Sequence, residues 1–103
     1  MSRVRITVIK KAFFEDLVKA YLTDGLEAGD CPIFSLGDSF TVDKSCEMPA
    51  GFCTFAWQDI FYMVHSLLGG ATYTPWWNRN GMQVACCTDG TRPVSFLIER
   101  IED

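Results

Sequence analysis

The strongest constraint on this chain is a single apolar stripe. Trp57, Ile60, Phe61, Val64 and Leu68 recur at helical spacing between two breakers, Pro49-Ala50-Gly51 before them and Gly69-Gly70 after. At 3.6 residues per turn these side chains share one narrow face. The segment therefore reads as a helix over roughly Phe55 to Leu68, with Thr54 as its N-cap. A helix that is apolar on one side must lie against another layer. In 103 residues only one core of useful size can form, so residues 1–103 read as a single domain.

The covering layer is legible at both ends of the sequence. From Arg3 to Lys10, Val4, Ile6 and Val8 alternate with Arg3, Arg5 and Thr7, the period of a strand with one buried face. Ser39-Phe40-Thr41-Val42 is a second short alternating strand behind a Gly-Asp turn. Met82 to Cys87 and Val94 to Ile101 are two more, joined by Thr88 to Pro93, with Val94, Phe96 and Ile98 on one face. After Lys11 the period changes to that of a helix: Phe14, Leu17, Val18, Tyr21 and Leu22 form a stripe that Asp24-Gly25 ends. The element order is β-α-β-α-β-β. It predicts an α+β fold with two helices on a small, mainly antiparallel sheet.

Composition narrows function by exclusion. Apolar residues make up 49% of the chain and charged residues 21%, with a net charge of −4, which suits a soluble globular domain. An acidic chain with scattered Lys and Arg is a poor match for phosphate backbones, so no nucleic-acid partner is expected. No run reaches the ~18–20 apolar residues of a membrane span. Met1 to Arg5 leads into a strand without an apolar signal core, so the expected location is cytoplasmic. Five cysteines without a CxxC pair read as free thiols, not as a disulfide framework.

Four stretches carry a family likeness: "CPIFSLGDSFTVD", "GFCTFAWQDIFYMV", "LLGGATYTPWW" and "VACCTDGTRPVSFLIERI". Together they resemble a family of small, functionally uncharacterised bacterial and archaeal proteins of about this length. The most specific parts are Gly51-Phe52-Cys53 leading to Ala56-Trp57, and the stretch from Cys86 to Glu99-Arg100. The resemblance implies one intact domain and no particular activity.

Candidate chemistry must come from the residues themselves. In a regular strand Cys86 and Cys87 point to opposite faces. That divides the pair into an inert core thiol, Cys86, beside Met82 and Val84, and a thiol at a cleft, Cys87. Cys53, read as the N′ residue of the long helix, is the other candidate nucleophile, because helix N-termini favour a thiolate. His65 is the only histidine and so the only possible imidazole base. Twelve residues, roughly 18 Å along a helix, keep it from Cys53. Asp89 and Arg92 bracket a turn, with Arg92 a donor for a small polar or anionic ligand. Trp76 and Trp77, on an aromatic loop, are candidates for ligand contact and for homo-oligomer contact. Thiolates of Cys31, Cys46, Cys53 and Cys87 would suit zinc chemically, although their spacing does not call for a metal, and the sequence identifies no particular cofactor.

These readings favour a cytoplasmic accessory module, oligomeric or ligand-binding, with its pocket between the second helix, the Trp76-Trp77 loop and the Cys87 to Arg92 turn. The alternatives are a thiol-dependent enzyme or redox protein using Cys53 or Cys87, and a Cys-based metal-stabilised structural protein. No phosphate loop, nucleophile elbow or HExxH motif favours a known reaction.

Overall fold

The computed structural model describes residues 2–102. β1 spans Ser2–Lys11, β2 Ser39–Val42, β3 Met82–Cys86 and β4 Val94–Glu102, while α1 covers Glu15–Tyr21 and α2 Thr54–Leu68, with a short 3-10 turn at Gly25–Ala28. The strands form one sheet in the order β2-β1-β4-β3, and every neighbouring pair is antiparallel. This is the expected α+β architecture. No helix among the described residues is long and apolar enough to cross a membrane.

The alternation in the sequence fixes which side of the sheet is dry. Directly opposed residues share a face, so Val4 with Val42, Ile6 with Ile98, and Val8 with Phe96 line one surface. All six are buried. Α2 packs across β1, β4 and β3 on that surface, contributing Ala56, Ile60, Val64 and Leu67 to the core. The other surface carries polar contacts. There Arg5 donates from Nε and Nη2 to Glu99 Oε1 at 3.2 and 3.0 Å, and Arg79 donates to Glu99 Oε2 at 3.2 Å.

Beyond the helix, aromatic rings close the core. Phe34 comes from the irregular segment before β2 and meets Phe40, Phe52 and Phe96 edge-on at 5.0–5.9 Å between centroids. Phe52 in turn meets Trp57 at 6.1 Å. Such tilted contacts match the negative face of one ring to the positive edge of another.

Two local expectations are corrected. The N-cap of α2 is Cys53, with φ −76° and ψ 127°, and Thr54 is already helical; no side chain caps this end. The α1 stripe forms a helix but does not become a core face. Only Val18 is buried, and Tyr21 is 77% exposed. Α2 lies over β1, β4 and β3, and Phe34 meets Phe40 of β2, so the dry face is occupied without α1. Α1 therefore packs beside the 3-10 turn at the periphery.

The C-terminal end of α2 is fully tied. Arg100 on β4 donates from Nη1 to the carbonyl of Leu67, which also accepts from the Gly70 amide, and to that of Ala71 just past the helix, both at 2.8 Å. Its own amide donates to Gly81 O at 2.8 Å. Gly81 has φ +71°, and a Cβ there would lie 3.0 Å from Arg100 Nη2, so the guanidinium occupies the space a side chain would need.

Candidate functional site

At the opposite end of α2 the chain leaves a cleft of about 440 Å³, within the range of small-molecule sites. Three segments wall it: Cys31 to Phe34, the first turn of α2 with Cys53, Phe55 and Ala56, and the turn from Cys87 to Val94. Most of the lining is apolar. Phe34, Ala56 and Val94 are buried, whereas Ile33 and Phe55 stand exposed at the mouth.

The turn that forms one wall is held from several directions. Cys87 N–H donates to Val94 O at 3.1 Å, and Val94 N–H donates back to Cys87 Sγ at 3.3 Å. The Thr88 amide donates to Asp59 Oδ2 of α2 at 2.7 Å. The segment after β1 adds bonds from the Ala12 amide to Pro93 O and from the Phe14 amide to Thr91 O, both at 2.9 Å. Asp89 Oδ1 accepts from the amides of Thr91 and Arg92 and from the Thr91 hydroxyl, at 2.8–2.9 Å, the side-chain turn that Asp-Gly sequences favour.

Asp89 is consequently held as a carboxylate. Burial acts to raise its pKa, but the hydrogen bonds from Thr91 and Arg92, with the nearby Arg92 charge, outweigh it and leave the group below its ordinary range. Arg92 is less well satisfied. Its Nη1 donates to Gly29 O at 3.3 Å, and its Nε lies 3.9 Å from Asp89 Oδ2, buried and without a hydrogen-bond partner. The first intrahelical bond of α2 runs from the Trp57 amide to Cys53 O. The amides of Thr54, Phe55 and Ala56 thus have no acceptor within the helix, at the end where the helix dipole is positive.

The structure gathers some of the candidate residues and disperses others. Cys31, Cys53, Cys87, Asp89 and Arg92 line this one cleft. Trp76 and Trp77 do not. They pack edge-to-face on each other at 6.3 Å, with Trp76 82% exposed, on the loop that leads to Gly81 and the Arg100 end of α2. His65 also lies away from the cleft, stacked at 6.1 Å on Phe61 one turn earlier. Neither candidate thiol of the cleft has an imidazole beside it.

The doubled cysteine divides in the reverse sense to the one expected. Ala85 pairs with Phe96, so Gln83 and Ala85 face the helix layer, and Met82, Val84 and Cys86 face the other side. Cys86 is exposed, while Cys87 is half-buried against the core. A four-thiolate zinc site is not assembled either. Among the described residues no group of three or more His, Cys, Asp or Glu side chains is placed to hold a metal ion. Cys46 sits outside the cleft in a tight turn at φ +57°, where burial pushes its thiol pKa up. All five cysteines are free.

Sequence reasoning missed Pro32, Ile33, Phe34 and Phe55 as lining of the cleft, and named Cys31 only as a thiolate. The available signal was the stretch Cys31-Pro32-Ile33-Phe34, apolar throughout in a region too irregular to be a strand or helix. Such a segment has to be laid on something. No protein-family model, curated protein or solved structure matches the chain.

Proposed function

We propose that the protein is a small-molecule-binding module, acting as an oligomer, whose cleft takes a compact ligand with an apolar body and one acidic group. The observation that carries the reading is Arg92. Arg92 lines an otherwise apolar cleft, its Nε makes no hydrogen bond and only a long 3.9 Å ion pair to Asp89, and a carboxylate accepts from Arg with favourable geometry. The apolar body then lies between Phe34, Phe55 and Ala56. Free thiols at all five cysteines suit a reducing cytoplasm.

Octanoate and octanol separate the contributions of head and tail. Titrated into the labelled protein, octanoate is expected to shift amide resonances of residues 53–56 and 87–94 at lower concentration than octanol. Arg92→Met should remove that preference, and Arg5→Met on the far face should keep it. Equal binding of acid and alcohol to the wild type, or shifts confined to other regions, would reject the reading.

A second reading, a thiol-dependent enzyme or redox protein, is favoured by the convergence of Cys31, Cys53 and Cys87 on this cleft. It requires one of these thiols to react with iodoacetamide faster than the exposed Cys86 at neutral pH. Uniformly slower reaction at all three would eliminate it.

A further inference from the structure

The sheet has two edges of unlike character. Β2 is four residues long and flanked by charge: Asp38 precedes it and Asp43-Lys44 follows, with the Asp43 pKa lowered chiefly by the hydrogen bond from the Ser45 hydroxyl. Short, charge-bracketed edges resist further pairing. Β3, Met82-Gln83-Val84-Ala85-Cys86, carries no charge and no proline. Cys87 N–H and Gly81 O bond toward β4, so by alternation the amides and carbonyls of Met82, Val84 and Cys86 point outward from the sheet.

Α2 supplies a second surface beside this edge. Its first turn meets Cys87 in the cleft wall, Asp59 accepts from the Thr88 amide, and its last turn is tied through Arg100 to Gly81. The helix therefore runs alongside β3 in the opposite direction, with Tyr62, near its middle, level with Val84. Phe55, Asp59, Tyr62 and Ser66 form one stripe at i, i+4, i+7 and i+11. The Asp59 bond shows that this stripe is turned to the β3 side, yet Phe55 is 72% and Tyr62 64% exposed.

We propose that β3 is the contact edge for a second copy of this chain, which extends the sheet antiparallel about a two-fold axis at Val84 and packs Tyr62 and Phe55 between the two α2 helices. The proposal rests on the oligomeric part of the reading above and assigns it a surface. About this axis Val84 meets the partner's Val84, Gln83 the partner's Ala85, and Met82 the partner's Cys86. Both helices lie on the same side of the joined sheet. Since α2 covers β1, β4 and β3, the helix axes stand about three strand spacings apart, ~14 Å. Helices packed through aliphatic side chains approach to about 8–10 Å, so the wider gap needs large rings, and Tyr62 and Phe55 occupy it. The β3 edge itself is uncharged, and the one carboxylate of the α2 stripe, Asp59, is already held by the Thr88 amide. Phe55 and Tyr62 offer roughly 250 Å² per protomer between them. With the edge strand the pair closes about 1,000 Å², the lower end for a specific interface, so dissociation on dilution is expected.

Light scattering of the full chain over a wide concentration range tests this. The wild type is expected to show the mass of two chains when concentrated and of one when dilute. Val84→Pro removes an outward amide that no internal bond uses, and Tyr62→Lys sets two cations at the axis. Each should give a monomer at concentrations where the wild type is dimeric, with its circular dichroism retained, while Trp76→Ala leaves the dimer intact. A wild-type monomer at every concentration overturns both the surface and the oligomeric reading. A dimer that survives Tyr62→Lys, or is lost in Trp76→Ala, overturns this surface alone and moves the contact elsewhere. Should Val84→Pro fail to fold, Tyr62→Lys decides by itself.

Discussion

The two ends of α2 are finished in opposite ways. At its C-terminus Arg100 fills the acceptors of Leu67 and Ala71, and Gly81 gives way to let it do so. At its N-terminus no side chain caps the helix, and the arginine nearby, Arg92, keeps a buried nitrogen unbonded at the wall of an apolar cleft. One end uses its cation in two 2.8 Å bonds to backbone carbonyls; at the other the cation holds only a 3.3 Å bond to Gly29 O and a 3.9 Å ion pair to Asp89. The contrast teaches that the two arginines, alike in sequence, differ in what their loss would cost.

The largest effect should come from the residue that belongs to both the core and the cleft. Phe34→Ala removes a ring in contact with Phe40, Phe52 and Phe96 and is expected to cost about 3–5 kcal/mol in denaturant unfolding. A loss under about 1 kcal/mol would mean that the 31–34 segment is not an integral wall, and the cleft would lose its definition. Next in size is the comparison of the two arginines. Arg100→Met should cost about 2–3 kcal/mol, because the Leu67 carbonyl of the last helical turn and the Ala71 carbonyl beyond it lose charge-assisted bonds. Arg92→Met, which gives up one 3.3 Å bond and a long ion pair, should cost under about 1 kcal/mol. Equal losses would break the distinction between the two ends.

Much of this arrangement was legible beforehand. Val4, Ile6 and Val8, and again Val94, Phe96 and Ile98, announced their buried face through period 2 alone, and the α2 stripe announced a helix that had to cover them. What the sequence could not reveal was competition for area. The Phe14 to Leu22 stripe is as periodic as that of α2, but α2 and the Phe34 segment already occupy the dry face of the sheet. The cysteine pair failed for a related reason. The facing of β3 is set by its register on β4, Ala85 opposite Phe96, and not by which of its own residues are most apolar. Within the site, Cys53, Cys87, Asp89 and Arg92 were identified singly by local chemistry, helix end and turn. Trp76, Trp77 and His65 stand out in the sequence because aromatic and imidazole groups invite function, while their distance from the cleft is a tertiary property.

The smallest predicted effect sharpens the account of the cleft turn. Asp89 has a folded pKa below its ordinary value near 3.8, so its contribution to stability is present above that value and is lost as pH falls through the lower, folded one. With its side chain 39% exposed, solvent screening keeps this contribution under about 1 kcal/mol. Asp89→Asn should therefore flatten the acid limb of the stability curve slightly while leaving stability at neutral pH reduced by a similar amount. An unchanged acid limb would show that the turn, not its charge, is what the fold requires.

The bond from the Val94 amide to Cys87 Sγ has a further consequence. Where the β3–β4 ladder reaches the cleft, its last pair keeps one ordinary bond, Cys87 N–H to Val94 O, while the return bond from the Val94 amide ends on a sulfur in place of a carbonyl oxygen. Any reagent or ligand that engages that sulfur competes with a backbone amide, and the event will be written in the exchange rate of a single proton, that of Val94. Exchange of the Val94 amide is therefore expected to report on modification of Cys87 without an added label.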